Sequence, residues 1–99
     1  MEKEEAINIA YDKCIRVCND EFLLLALNTC LDFLNNKISV GEARKKAFEC
    51  HKYARGLKDK KQVLLARACG HAIACCHTEK HLEPCLDYLE KYKQVSLSK

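Results

Sequence analysis

The sequence predicts an all-α fold, a compact bundle of about five helices in a single helical domain spanning residues 1–99. Three observations carry that prediction. Apolar residues recur three and four apart along most of the chain, and nothing alternates with period two over a useful length. Only three glycines and one proline interrupt the 99 residues, which leaves little turn chemistry for hairpins. Two helix-start patterns, Ser-x-x-Glu at Ser39 and Glu42 and Asp-x-x-Gln at Asp59 and Gln62, stand ahead of apolar runs.

The first helix is expected over residues 3–17. Ile7, Tyr11, Cys14 and Cys18 form its stripe, with Ala6 and Ala10 beside it. Asn19 or Asp20 then offers a cap for a second helix that runs to about Asn35. Leu24, Leu27, Leu31 and Leu34 make one stripe there. Leu23, Ala26, Cys30 and Phe33 widen it, so this helix is expected to be buried on two sides. Asn35 and Asn36 mark the next break.

The third helix starts at a capping box, in which Ser39 and Glu42 each satisfy a backbone N–H that the first turn leaves free. Ala43, Ala47, Cys50, Ala54 and Leu57 follow as a seam of mostly small residues, and Gly56 is the natural stop. Asp59 and Gln62 can box the fourth helix, expected over residues 60–77. This helix is apolar nearly all round, which places it at the centre of the bundle. Ala66, Gly70 and Ala74 recur every four positions and let a neighbour approach closely. Its one polar stripe is Arg67, His71, Cys75 and Thr78. After a turn through residues 78–81, Pro84 fits the first turn of a fifth helix, where its missing N–H costs nothing. Leu82, Cys85, Leu86, Leu89 and Tyr92 form the apolar face of that helix.

Composition narrows the function classes. A chain of 99 residues can bury roughly 60–65% of its unfolded surface, enough for one modest core. The net charge of +3 is small. The basic runs at residues 44–46 and 58–61 have acidic neighbours and few aromatics, so no nucleic-acid interface is expected. The charged start MEKEEA has no hydrophobic region behind it, and no apolar run is long enough for a bilayer. The expectation is a cytoplasmic protein without membrane contact. Its eight cysteines lie on apolar helix faces, where a free thiol acts as a small hydrophobe, and are expected to be reduced.

Three constellations bear on chemistry. Cys14 and Cys18, with His77 and His81, form two i,i+4 pairs that together could satisfy tetrahedral zinc. They lack the tight C-x₂-C knuckle of most such sites, and the plainer reading is that His77 and His81 cap the end of the fourth helix. His71 and Cys75 lie one turn apart, and an imidazole beside a thiol can make a nucleophile. The sequence names no third residue to orient His71, and the C-x-x-C spacing of a helical redox enzyme is missing from Cys75-Cys76-His77. The plainer reading is a buried, hydrogen-bonded histidine. Tyr88 and Tyr92 can anchor a partner or cover the edge of the core. No catalytic, metal or cofactor site is expected to be assembled.

The segment GHAIACCHTEKH carries Gly70, His71, Ala72, Ala74, His77 and His81 in the pattern G-H-A-x-A-x-x-H-x-x-x-H. It resembles the immunity-five-like domain, a family ascribed to immunity in bacterial polymorphic toxin systems. The upstream segment KISVGEARKKAFECHKYAR resembles a second stretch of the same family, in the same order. The chain departs from the family pattern in its cysteines, which replace alanines, and in Pro84. The resemblance implies a bacterial, non-enzymatic protein that binds a cognate protein toxin stoichiometrically and occludes its active site or substrate path. Arg67, His71, His77 and His81 are then the candidate partner-binding or structural motif. The alternative is a small redox or metal-binding protein using the Cys and His residues.

Overall fold

Three of the helices begin where a side-chain oxygen takes up a free first-turn amide. Asp20 accepts from the Leu23 amide, Ser39 from that of Glu42, and Asp59 from that of Lys61. A cap of this kind contributes about 0.5–2 kcal/mol. A computed structural model describes residues 1–97. It contains α1 (Lys3–Val17), α2 (Glu21–Leu34), α3 (Val40–Gly56), α4 (Lys60–Ala74), a one-turn 3-10 helix (Glu79–His81) and α5 (Leu82–Leu97), with no strand among the described residues. The radius of gyration of 12.4 Å is that of a close-packed chain of this length.

Local signals account for most boundaries. Both halves of the Ser39–Glu42 box form, the Glu42 carboxylate accepting from the Ser39 amide at 2.9 Å. The box predicted at Asp59 forms only in part, because Asp59 bonds the Lys61 amide and Gln62 returns nothing. Helix α2 ends in a Schellman arrangement. Asn36 takes φ of 61°, the Lys37 amide donates to the Asp32 carbonyl, and the Asn36 amide donates to that of Phe33. Asparagine tolerates this left-handed backbone better than other non-glycine residues. Gly56 has no positive φ, so α3 stops without a left-handed glycine.

Helix α4 packs against every other helix, and residues 65, 66, 68–70 and 72–76 are buried along it and just past its end. It is the centre of the bundle, as its apolar circumference predicts. The seam Ala43, Ala47, Cys50 and Ala54 of α3 is buried against the core. Leu82, Cys85 and Leu89 close it from α5.

Two expectations are corrected. Helix α2 is buried on one side, through Leu23, Ala26, Leu27 and Cys30, while Leu25 is 72% exposed and Leu31 37%. The helix is apolar on so many positions that its periodicity does not choose a face; its neighbours α1, α3 and α4 do. Helix α4 ends at Ala74 and not at His77. Beyond it the His77 amide donates to the Ala74 carbonyl, tightening the chain into a turn, and Thr78 receives the Lys80 amide to start the 3-10 helix.

Candidate functional site

The polar stripe of α4 leads into a cluster of aromatic rings. His71 is one turn beyond Arg67, and both are half-buried. His71 Nδ1 lies 3.0 Å from His81 Nδ1. One of the two nitrogens must carry the proton and the other must accept it. The His71 ring also stacks on Tyr88 of α5, with centroids 5.6 Å apart and planes 13° apart. It meets His51 of α3 edge-on at 4.9 Å. His71 therefore ties α3, α4, the 3-10 turn and α5 together.

Gly70 makes room for this cluster. A Cβ there would sit 2.7 Å from His51 Nε2, so the absent side chain is what lets the His51 ring lie against the α4 backbone. The small-residue spacing of α4 signals such an approach. The identity of the group that fills it, a histidine on the next helix, carries no signal in the sequence of α4.

The electrostatics favour neutral rings. Burial, then the charges of His51, His81 and Arg67, holds His71 down at about 4. His51 is lowered by burial and by Arg67, and His81 by burial and by His77. Protonating both members of the Nδ1 pair would remove its acceptor and set two charges face to face. Because the folded His71 value lies below the usual 6.5, the unfolded chain binds more protons between those values, and stability falls as pH drops from 6.5 toward 4. Urea midpoints measured across that window should show this slope, and His71→Gln should flatten it. An unchanged slope in the variant would mean that His71 already titrates normally in the fold.

The thiols are spread over all five helices and the segments that follow α1 and α4. Seven of the eight cysteines, all but Cys18, are fully buried, and none of the eight is in a disulfide. Cys14 and Cys85 approach to 3.7 Å, linking α1 and α5, and Cys30 contacts the Ala72 carbonyl at 3.8 Å. Burial pushes the Cys75 thiol up to about 12, the reverse of what an activated nucleophile needs. With His71 held neutral, the pair cannot form a thiolate–imidazolium couple. Alkylation of native protein should add one label, at Cys18, and denaturation should expose all eight cysteines, as intact mass would show. A native label on Cys75 would restore the nucleophile reading.

The four candidate motif residues separate. Arg67, His71 and His81 are half-buried, with His71 and His81 paired, whereas His77 is exposed. His81 spends its Nδ1 on His71, so the two histidines do not jointly cap α4. Cys14 is paired with Cys85 instead of approaching the histidines, and no group of three or more His, Cys, Asp or Glu among the described residues is placed to hold a metal ion. Tyr88 and Tyr92 are half-buried and pack at the core's edge.

His77 and His81 border a cleft of about 180 Å³ between α3 and the end of α4. Ala47 and Ala74 form its apolar floor. Arg44, Phe48 and His51 complete the lining. Phe48 is 67% exposed although it stands beside the core seam. Sequence reasoning passed over Phe48 and His51. An aromatic one position outside a buried seam is the signal that could have found the first.

A second polar staple joins α2 to α3. Tyr53 donates to Asp20 Oδ2 at 2.6 Å, the same carboxylate that caps α2, and Phe22 stacks on Tyr53 at 4.3 Å. The Asp20 hydrogen bond raises the Tyr53 hydroxyl above its usual value.

No helix among the described residues is long and apolar enough to cross a membrane. Compared with known families, residues 6–96 match the model described as Imm-5 like putative immunity protein. No curated protein and no solved structure matches the chain.

Proposed function

The chain belongs to the Imm-5 like family, whose model spans residues 6–96, and from that premise we propose that it neutralises a cognate protein toxin by stoichiometric binding. The mechanism is occlusion: the folded bundle covers the toxin's active site or the path of its substrate. The protein acts in the cytoplasm of the bacterium that makes the toxin, as one folded domain, without turnover and without a cofactor. The family match over nearly the whole chain is the observation that carries this reading.

The site chemistry supports it. The His71 and Cys75 side chains are engaged in packing, with the imidazole held neutral and the thiol held protonated. His71 and His81 serve the fold by joining α3, α4, the 3-10 turn and α5, Arg67 is half-buried one turn before them, and His77 belongs to the surface. Rigid placement of exposed residues is what a binding protein requires, since ordering side chains at an interface otherwise costs about 0.5–1.5 kcal/mol each.

Co-expression with the toxin-like product of the neighbouring gene tests the proposal. Growth should be restored, and the two chains should co-purify in a fixed ratio. If His71→Ala abolishes rescue while the folded variant still binds toxin, occlusion is the wrong mechanism and a catalytic one returns. If no neighbouring product is toxic and neutralised, the immunity reading fails.

A further inference from the structure

The cleft between α3 and the end of α4 has an unusual combination of linings. Its floor is methyl groups from Ala47 and Ala74, and one wall is the 67%-exposed ring of Phe48. Its polar lining is one guanidinium, Arg44, and three imidazoles, His51, His77 and His81, with no carboxylate. The acidic residues of the adjoining elements are turned to other uses. Glu42 closes the capping box, and Glu49 pairs with Lys46 at 3.2 Å. Glu79, in the 3-10 turn, does not line the cleft. Arg44 is exposed and has no ion pair among the described residues.

We propose that this cleft is where the toxin docks, and that the toxin inserts an aspartate or glutamate flanked by an apolar side chain. The inference rests on the toxin-binding reading above and names its surface. The chemistry is complementary at each point. A guanidinium holds a carboxylate through two parallel hydrogen bonds, a geometry that gives orientation as well as attraction. The imidazole N–H of His77 supplies a further donor. Phe48 and the alanine floor take the apolar neighbour, and aromatic side chains and arginine are both enriched at protein interfaces.

The cleft's walls are preorganised. His51 and His81 are held by His71, and His51 is seated against Gly70. The groove between α1 and α2 offers a competing apolar patch at Ile15, Leu24 and Leu25. Its one charged lining residue is the carboxylate Glu21, opposite in sign to Arg44, so the two faces make different predictions.

The test measures binding of the toxin domain encoded beside this chain's gene, and rescue of growth, for Arg44→Glu, Phe48→Ala and Leu25→Glu. Circular dichroism melts check that each variant stays folded. Arg44→Glu and Phe48→Ala should each weaken binding by at least about 30-fold, with Leu25→Glu unchanged. Reversing the matching toxin acid to lysine should recover binding to Arg44→Glu alone. Wild-type affinity in both cleft variants overturns the proposal, as does loss of binding confined to Leu25→Glu. A dimer of the free chain that Phe48→Ala dissociates, seen by light scattering, would assign the cleft to a second copy and also overturn it. If the wild-type chain itself neither binds nor rescues, the toxin-binding reading fails and the cleft assignment falls with it.

Discussion

Leu27→Ala is expected to destabilise the protein by about 2–5 kcal/mol, the range for truncating a buried leucine. Leu27 is fully buried, at the middle of the single face through which α2 meets the core. Its neighbours on that face are Leu23, Ala26 and Cys30, two of them small, so little adjacent bulk can move in to fill the space left. The loss combines the transfer of the deleted atoms with the residual cavity. Urea unfolding should show a lower midpoint with an unchanged slope, since the surface exposed on unfolding hardly changes. Leu25→Ala is the control. That side chain is 72% exposed, and the change should stay within about 0.5 kcal/mol. Equal effects at the two positions would mean that α2 is buried on both sides, and a larger effect at Leu25 would place it in the opposite rotation; either overturns this packing.

Gly70→Leu should cost about 1–3 kcal/mol by overpacking. The effect opposes intrinsic propensity, because replacing a mid-helix glycine ordinarily gains up to about 1 kcal/mol. The reason is the contact with His51. A Cβ would lie 2.7, 2.9 and 3.0 Å from three atoms of its ring. Side chains can swing aside, but this ring also packs edge-on to His71 and lines the cleft. Moving it loosens the contact between α3 and α4. The variant His51→Ala removes the obstruction, so Gly70→Leu should cost less in that background. A coupling between the two sites of about 0.5–3 kcal/mol is the expected signature of direct contact. Additive effects would show that the ring relocates freely, and a stabilising Gly70→Leu would put Gly70 on an open surface.

Leu27→Ala lowers stability without touching the cleft, so any loss of protection should follow the folded fraction. Gly70→Leu displaces His51, a cleft residue, and should weaken partner binding even under conditions where the variant is fully folded. That difference separates a fold defect from a surface defect.

Much of the architecture is legible in local sequence because helix starts and stops are local events. The Ser39–Glu42 box needs only atoms three residues apart, and the Asn35-Asn36 break needs one residue that tolerates a left-handed backbone. The bounds of α1 and the centrality of α4 follow likewise from where apolar residues recur. The rotation of α2 did not, because leucines stand on most sides of that helix and the stripe Leu24–Leu27–Leu31 reads as well as the true face. Nor did the end of α4, where no glycine or proline interrupts the apolar run and the turn is made by backbone bonds after Ala74.

The candidate site was legible as residue types and not as an arrangement. The sequence alone marks His71 on an apolar helix, and His77 and His81 where that helix ends, as unusual, and marks the small-residue spacing through Gly70. It determines that α4 is central, that α3 packs closely through small side chains, and that the thiols sit on buried faces. Only the tertiary structure decided that His71 pairs with His81 across a turn, that His51 of α3 fills the space at Gly70, and that Phe48 stays exposed over a cleft lined by Arg44 and three histidines. Those outcomes depend on the angles and depths at which helices meet, which are set by the sum of many contacts between residues far apart in the chain. Periodicity along one helix says which side is apolar, and the neighbouring helices decide what that side touches.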